Sequence, residues 1–292
     1  MTKLIKNILS KAKTPITAVI ALIVLCIFRV FVLLEGIEYP SGIFSREGNI
    51  YNIIYYILLA VSAAAIIITA YIDNRGISGK YETDIRGNKM TVIGVSMIAA
   101  GALESLAVIN EFATGINIFS LFIIAGCVAF VAGGVLIASS KETAHMHSIP
   151  VAFIIISYIA QSIEFYIANA LIAKHPQKLM TIAFLASAGY FWIFFGRILA
   201  GDKRSSTRFL AVATGYFSTV CTVAYIASSH ILLAADSGKW VQLNNIPGLT
   251  LLPAALIPSI AATIILLSGK GKLADKTSGA EKVKNASETT QD

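Results

Sequence analysis

The chain has 292 residues, of which 56% are hydrophobic and only 13% are charged, and its mean hydropathy is +0.75. A soluble domain carries about 25% charged residues, so this composition excludes an ordinary soluble protein. The net charge of +7 lies in short segments between apolar runs and forms no basic stripe interleaved with aromatic residues. This pattern predicts the lipid bilayer, and not nucleic acid, as the partner.

Eight apolar segments have the roughly 20 residues that a membrane-spanning helix needs. They predict an all-α, polytopic transmembrane bundle over residues 14–268. The predicted spans lie near 15–35, 50–72, 90–112, 117–139, 149–172, 179–199, 209–234 and 247–267. Hydroxyl side chains dilute the seventh segment, but they can bond the backbone one turn back and are tolerated within a span. Pro253 and Pro258 predict a kink in the eighth.

The two ends of the chain differ from the bundle. Residues 1–13 place four apolar side chains on one helical face and lysines elsewhere, which predicts an amphipathic arm in the membrane interface; the apolar residues are Leu4, Ile5, Ile8 and Leu9. Residues 269–292 are polar and rich in Lys, Ser, Thr and Glu, which predicts a disordered cytoplasmic tail.

The distribution of basic residues predicts the orientation of the spans. With eight spans, 18 basic residues fall on the side of the two termini and four on the other side, while Arg29 lies within a span. Basic residues concentrate on the cytoplasmic side of membrane proteins. The sequence therefore predicts a multi-pass protein of the cell membrane with both termini in the cytoplasm.

The segment after the first span, residues 35–44, reads EGIEYPSGIF. It resembles the segment after the first span in uncharacterised multispanning membrane proteins of anaerobic Gram-positive bacteria. The resemblance covers these residues alone and implies a bacterial plasma membrane. It implies no activity.

Three ionisable residues fall inside predicted spans: Arg29, Glu104 and Glu164. Each lies about 15 residues after the start of a span that runs outward, which corresponds to roughly 21 Å into a hydrocarbon core of about 30 Å. We expect the three side chains to meet at one depth, where Arg29 neutralises one or both carboxylates. A surplus carboxyl there would hold a proton or bind a cation.

Amide side chains extend this predicted cluster. Gln161 lies one turn before Glu164 on the same face, and Asn110 and Asn169 follow nearer the outer surface as a secondary polar path. Two interpretations remain open: an ion pair that fixes helix register, or a site that binds a solute or relays a proton.

No catalytic or cofactor motif is present, and the sequence predicts no metal site. Cys26, Cys127 and Cys221 lie inside spans without metal-ligand spacing, so they are expected to be packing residues. The absence of hydrolase, protease and nucleotide motifs argues against an enzyme, although an enzyme acting on lipid or prenyl substrates is a further alternative.

Small residues recur every four positions in two spans, at Ala125, Ala129 and Gly133 and at Ala60 and Ala64. Such faces let helices approach closely, either within the chain or in a homo-oligomer or partner complex. Two functional hypotheses follow for the chain. It is either a small-solute transporter or permease with a buried Arg/Glu cluster, or a non-transporting scaffold, sensor or accessory subunit of an envelope complex.

Overall fold

The computed structural model describes residues 12–35, 37–38, 43–44, 49–75, 88–114, 118–139, 148–168, 176–202, 204–235 and 255–268. The predicted tail and all but the end of the predicted arm lie outside these residues, as does Asn169.

The described residues form eight helices, one for each predicted span, and one short strand pair. In chain order the helices are α1 (Lys13–Glu35), α2 (Asn49–Arg75), α3 (Asn88–Thr114), α4 (Ile118–Ser139), α5 (Ser148–Ala168), α6 (Pro176–Leu199), α7 (Ser205–Ala235) and α8 (Ala255–Ser268). Strands β1 (Ile37–Glu38) and β2 (Ile43–Phe44) pair antiparallel between α1 and α2, with Ile37 opposite Phe44.

Six of these helices are long and apolar enough to cross a membrane: α1, α2, α3, α4, α6 and α7. The apolar stretches described in α5 and α8, Ile149–Glu164 and Ala255–Ser268, are shorter than a full crossing. The predicted all-helical bundle is therefore confirmed, with six of its eight helices of spanning length. The orientation with both termini in the cytoplasm stays a prediction.

The outer surface of the bundle is apolar. Ile27 on α1, Val61 on α2 and Val128 on α4 each expose about 60% of their surface, at 65%, 58% and 62%. Water would make such a continuous apolar surface unfavourable, whereas lipid tails do not. This is an integral membrane protein whose outer surface contacts the bilayer.

Helix α7 lies at the centre of the fold and contacts α6, α1 and α2. It also contacts α8, where the Thr219 hydroxyl donates to the Ala255 carbonyl at 2.7 Å and the hydroxyls of Tyr216 and Thr263 lie 2.7 Å apart. Five of the hydroxyl residues that dilute the seventh apolar segment are buried: Ser218, Thr219, Thr222, Ser228 and Ser229. Thr222 and Ser229 donate to backbone carbonyls one turn back in α7 itself, at 2.9 and 2.8 Å.

Glycines bring α3 and α4 into backbone contact. A Cβ atom added at Gly94 would lie 2.5 Å from the Gly134 carbonyl oxygen, and one added at Gly101 would lie 2.8 Å from the Cys127 carbonyl oxygen. At Gly133, in the predicted small-residue face of α4, the neighbour lies within the chain: an added Cβ atom would be 2.9 Å from the Cβ of Pro150 on α5.

Pro258 is the fourth of the described residues of α8, and the kink predicted there stays a prediction. Pro253 lies outside the described residues.

Candidate functional site within the bundle

Arg29 joins three helices. Its side chain is fully buried on α1, and its Nη1 atom donates a hydrogen bond of 3.3 Å to the Tyr55 hydroxyl of α2. On the other side, its Cζ atom lies 4.5 Å from the ring centroid of Tyr225 on α7, which is within the range of a cation–π interaction. We call these three residues the Arg29 cage.

The position of Arg29 on α1 explains its burial. Leu25, Val32 and Leu33, which precede or follow it by three or four residues, are all completely buried. Residues with this spacing share one face of a helix, so the packing of α1 carries Arg29 into the bundle. There the flat guanidinium fits between a hydroxyl and an aromatic ring.

Glu104 occupies a different neighbourhood. It is half-buried on α3, and the Cys127 thiol of α4 lies 4.0 Å from its Oε2 atom as a weak hydrogen-bond donor. Cys127 follows Gly126, which packs against Ser157 of α5, the residue before Tyr158. Among the described residues Glu104 has no ion-pair partner, and the contacts given above for Arg29 do not include it.

Tyr158 connects Glu104 to α6. Its ring meets that of Phe184 edge to face, with centroids 6.0 Å apart. Trp192 lies one turn after Gly189, which packs against Tyr158. It is fully buried, and its indole N–H has no hydrogen-bond partner among the described residues. Trp192 in turn packs edge to face on Phe130 of α4 at 5.3 Å. Glu104 therefore lies beside an aromatic cluster that joins α4, α5 and α6.

The remaining predicted residues lie on α5 and α3. Gln161 donates from Nε2 to the Ser157 hydroxyl, one turn earlier, at 3.2 Å, and Glu164 is half-buried one turn later. Asn110 lies in α3, but its side chain is outside the described part of the structure. A single cluster of Arg29, Glu104, Gln161 and Glu164 stays a prediction.

The aromatic partners could not be predicted from the sequence. Tyr55, Tyr158 and Tyr225 lie in apolar runs, where a single tyrosine changes the mean hydropathy of the span little and does not show which helix its side chain faces. The available signal is chemical, because a buried tyrosine hydroxyl usually has a polar partner and a buried arginine needs acceptors or rings.

Comparison with known protein families, curated proteins and solved structures finds no match to this chain. The described residues hold no group of three or more His, Cys, Asp or Glu side chains that could bind a metal ion. The features that bear on function are therefore the Arg29 cage and the surroundings of Glu104.

Proposed function

We propose that this chain transports a small solute across the membrane and that Glu104 holds a proton or faces a cation during the transport cycle. The supporting observation is that Glu104 is a carboxyl group inside the membrane-spanning bundle that has no ion-pair partner among the described residues. A charged residue at the centre of a span costs roughly 2.5–3.5 kcal/mol on insertion scales. A carboxyl in hydrocarbon is stable only when it is protonated or lies beside a cation.

The Arg29 cage supports the same proposal because it holds three helices together. Its guanidinium is enclosed by the Tyr55 hydroxyl and the Tyr225 ring, so it ties α1, α2 and α7 together. In our proposal this cage is the fixed part of the transporter. Glu104 and its neighbours on α4 and α5 are the part that exchanges protons or solute.

The test is solute uptake into proteoliposomes with and without an imposed pH gradient. The solutes are a panel of radiolabelled amino acids, nucleosides and organic cations. We expect at least one of them to accumulate faster than in protein-free liposomes. We expect Glu104→Gln to abolish the dependence of that uptake on the pH gradient, because the amide cannot exchange a proton.

The matched control is Glu35→Gln, which changes an exposed carboxyl at the end of α1 and should leave uptake unchanged. The proposal is wrong if folded wild-type protein moves none of the solutes. It is also wrong if uptake by Glu104→Gln keeps the pH dependence of the wild type.

One observation favours the second candidate, a non-transporting scaffold, sensor or accessory subunit. The small residues Ala60 and Ala64 of α2 are exposed on the outer face of the bundle, where a helix of another copy or another protein can approach closely. This candidate predicts that a defined partner co-purifies from native membranes and is lost in the Ala60→Leu/Ala64→Leu double variant.

A further inference from the structure

A groove of about 400 Å³ runs between α5 and α6 on the outer surface of the bundle. Its α5 wall includes Tyr158, Ser162 and Tyr166, and its α6 wall includes Gly189 and Tyr190. The missing side chain of Gly189 keeps the groove open, since a Cβ atom placed there would already lie 3.8 Å from the Cβ of Tyr158. Any larger side chain at this position would project into the space.

The groove opens to the hydrocarbon. Tyr166 and Tyr190 at its rim are 69% and 58% exposed, and in a membrane this surface is covered by lipid tails. Most of the lining is aliphatic or aromatic. An occupant must therefore present apolar groups to the groove walls, and the route to the groove is from within the bilayer.

Tyr158 connects this groove to Glu104. The side chain of Tyr158 lines the groove and yet is only 4% exposed, so it forms the inner part of the wall. Ser157, the residue before Tyr158, packs against Gly126 of α4, and the thiol of the next α4 residue, Cys127, lies 4.0 Å from the Glu104 Oε2 atom. A carboxyl group without an ion-pair partner in the described structure thus lies close to the inner wall of a groove that is open to lipid.

The tyrosine rings of the groove and the nearby Glu104 favour one class of ligand. The tyrosine rings can bind a cation through their faces, and Glu104 adds a negative charge. The residues lining the groove include no Lys or Arg in the part of the chain that is described. We propose that the groove binds an amphipathic organic cation with aromatic or aliphatic substituents, which enters from the bilayer between α5 and α6. As a statement about the transported solute, this rests on the proposed function.

The fluorescence of Trp192 can report whether a ligand binds in the groove. It is fully buried beside Tyr158, and the chain has only two tryptophans. The Trp240→Phe variant therefore leaves Trp192 as the sole fluorescent indole. The probe is tetraphenylphosphonium, a cation with four aromatic rings, added to this variant in detergent or nanodiscs. We expect a saturable change in Trp192 emission.

Substitutions in the Trp240→Phe background test the groove and the charge separately. Gly189→Leu should fill the groove and abolish the saturable change, while Gly189→Ala should weaken it less. Glu104→Gln should weaken binding about tenfold or more, because it removes the negative charge that lies near the groove. Ala152→Leu is the matched control, since it adds the same bulk to an exposed position of α5 outside the groove lining.

Tetraphenylborate has the same shape as the cation and the opposite charge, and it should give no saturable change. The proposal is overturned if tetraphenylborate binds as well as the cation. It is also overturned if Gly189→Leu binds tetraphenylphosphonium like the wild type while its melting temperature is unchanged. Either result would mean that the probe only partitions into lipid or detergent and does not bind in the groove.

Uptake of tetraphenylphosphonium into proteoliposomes separates this inference from the proposed function. Binding to Trp240→Phe without uptake of any solute would support the groove and contradict transport. Uptake of other solutes that is insensitive to Gly189→Leu, without binding of tetraphenylphosphonium, would support transport and contradict the groove.

Discussion

The carboxylate of Asp73, near the end of α2, accepts hydrogen bonds from both the backbone N–H and the hydroxyl of Thr14, at the start of α1, at 2.8 and 2.7 Å. Both side chains are buried. The first N–H groups of a helix have no partner within it, and a negative charge there is favourable. Asp73 therefore caps the first helix from the end of the second.

Replacing Asp73 by alanine should destabilise the protein by about 1–2 kcal/mol, the range found for lost helix caps. The measurement is the apparent melting temperature of the detergent-purified protein. Thr14→Val keeps the backbone N–H and removes only the hydroxyl, so it should cost less. If the two substitutions have fully additive effects in the double variant, Asp73 and Thr14 do not act together.

Arg208 should stabilise the protein by donating a hydrogen bond to the C-terminal end of α8. It is 5% exposed in the first turn of α7, and its Nη2 atom donates to the Ile265 carbonyl, one of the last carbonyls of α8. Because a hydrogen bond from a charged donor is worth about 1.5–3 kcal/mol, Arg208→Met should lower the melting temperature clearly. Arg204→Met is the matched control, since the Arg204 side chain is 74% exposed. Equal effects of the two substitutions would contradict the capping role of Arg208.

The close contact of α3 and α4 predicts that Gly94→Ala is poorly tolerated. Its Cβ atom would meet the backbone of α4 at 2.5 and 2.6 Å, so the helices would have to separate, and overpacking of this kind costs about 1–3 kcal/mol. Gly189→Ala should change stability by less than about 0.5 kcal/mol, because the nearest atom is 3.8 Å away. Thermal unfolding of the two variants side by side tests the contrast.

The contribution of the loop between α6 and α7 to protein stability should depend on pH in the acidic range. The hydrogen bond from the Arg204 backbone N–H is the main cause that lowers the pKa of Asp202 from its usual 3.8, with help from the Thr207 hydroxyl and from Arg197. A carboxyl whose pKa is lowered by folding stabilises the protein above its unfolded pKa, and this contribution is lost as the pH falls through the folded pKa.

Melting temperatures measured between about pH 6 and pH 3 should therefore differ between the wild type and Asp202→Asn. The wild type should be the more stable above its unfolded pKa and should lose this advantage as the carboxyl becomes protonated. Parallel curves over the whole range would show that Asp202 contributes nothing.

The orientation of the chain can be tested with reporters fused after the last residue. The excess of basic residues on the side of the termini predicts that this end is cytoplasmic. Green fluorescent protein should then fluoresce, and alkaline phosphatase should stay inactive. The opposite result would place the tail outside and contradict the even number of crossings.

The spans could be predicted from the sequence because long apolar runs have few alternatives. The predicted end of the second span at residue 72 and the predicted start of the seventh at 209 lie near the ends of α2 and α7. Those small differences leave Asp73 and Arg208 just outside the predicted spans. The sequence alone does not show whether a charged residue at the end of an apolar run faces water or caps a distant helix. The partners of Asp73 and Arg208 could therefore not be predicted.

The candidate site was predicted only in part for a similar reason. The burial of Arg29 was expected from its place in an apolar run, and the structure bears this out. Its partners Tyr55 and Tyr225 lie on other helices, and the choice among several tyrosines depends on helix rotation and packing. Hydropathy and charge counts do not contain that information.

The Arg29 cage also sets an order of events during synthesis. Arg29 and Tyr55 belong to the first helical hairpin, whereas Tyr225 is made only when α7 emerges from the ribosome. Until then the guanidinium must enter the membrane without the ring that covers it in the finished protein. Membrane insertion and folding are therefore separate stages for this chain, and the first hairpin reaches its final environment only after the central helix has arrived.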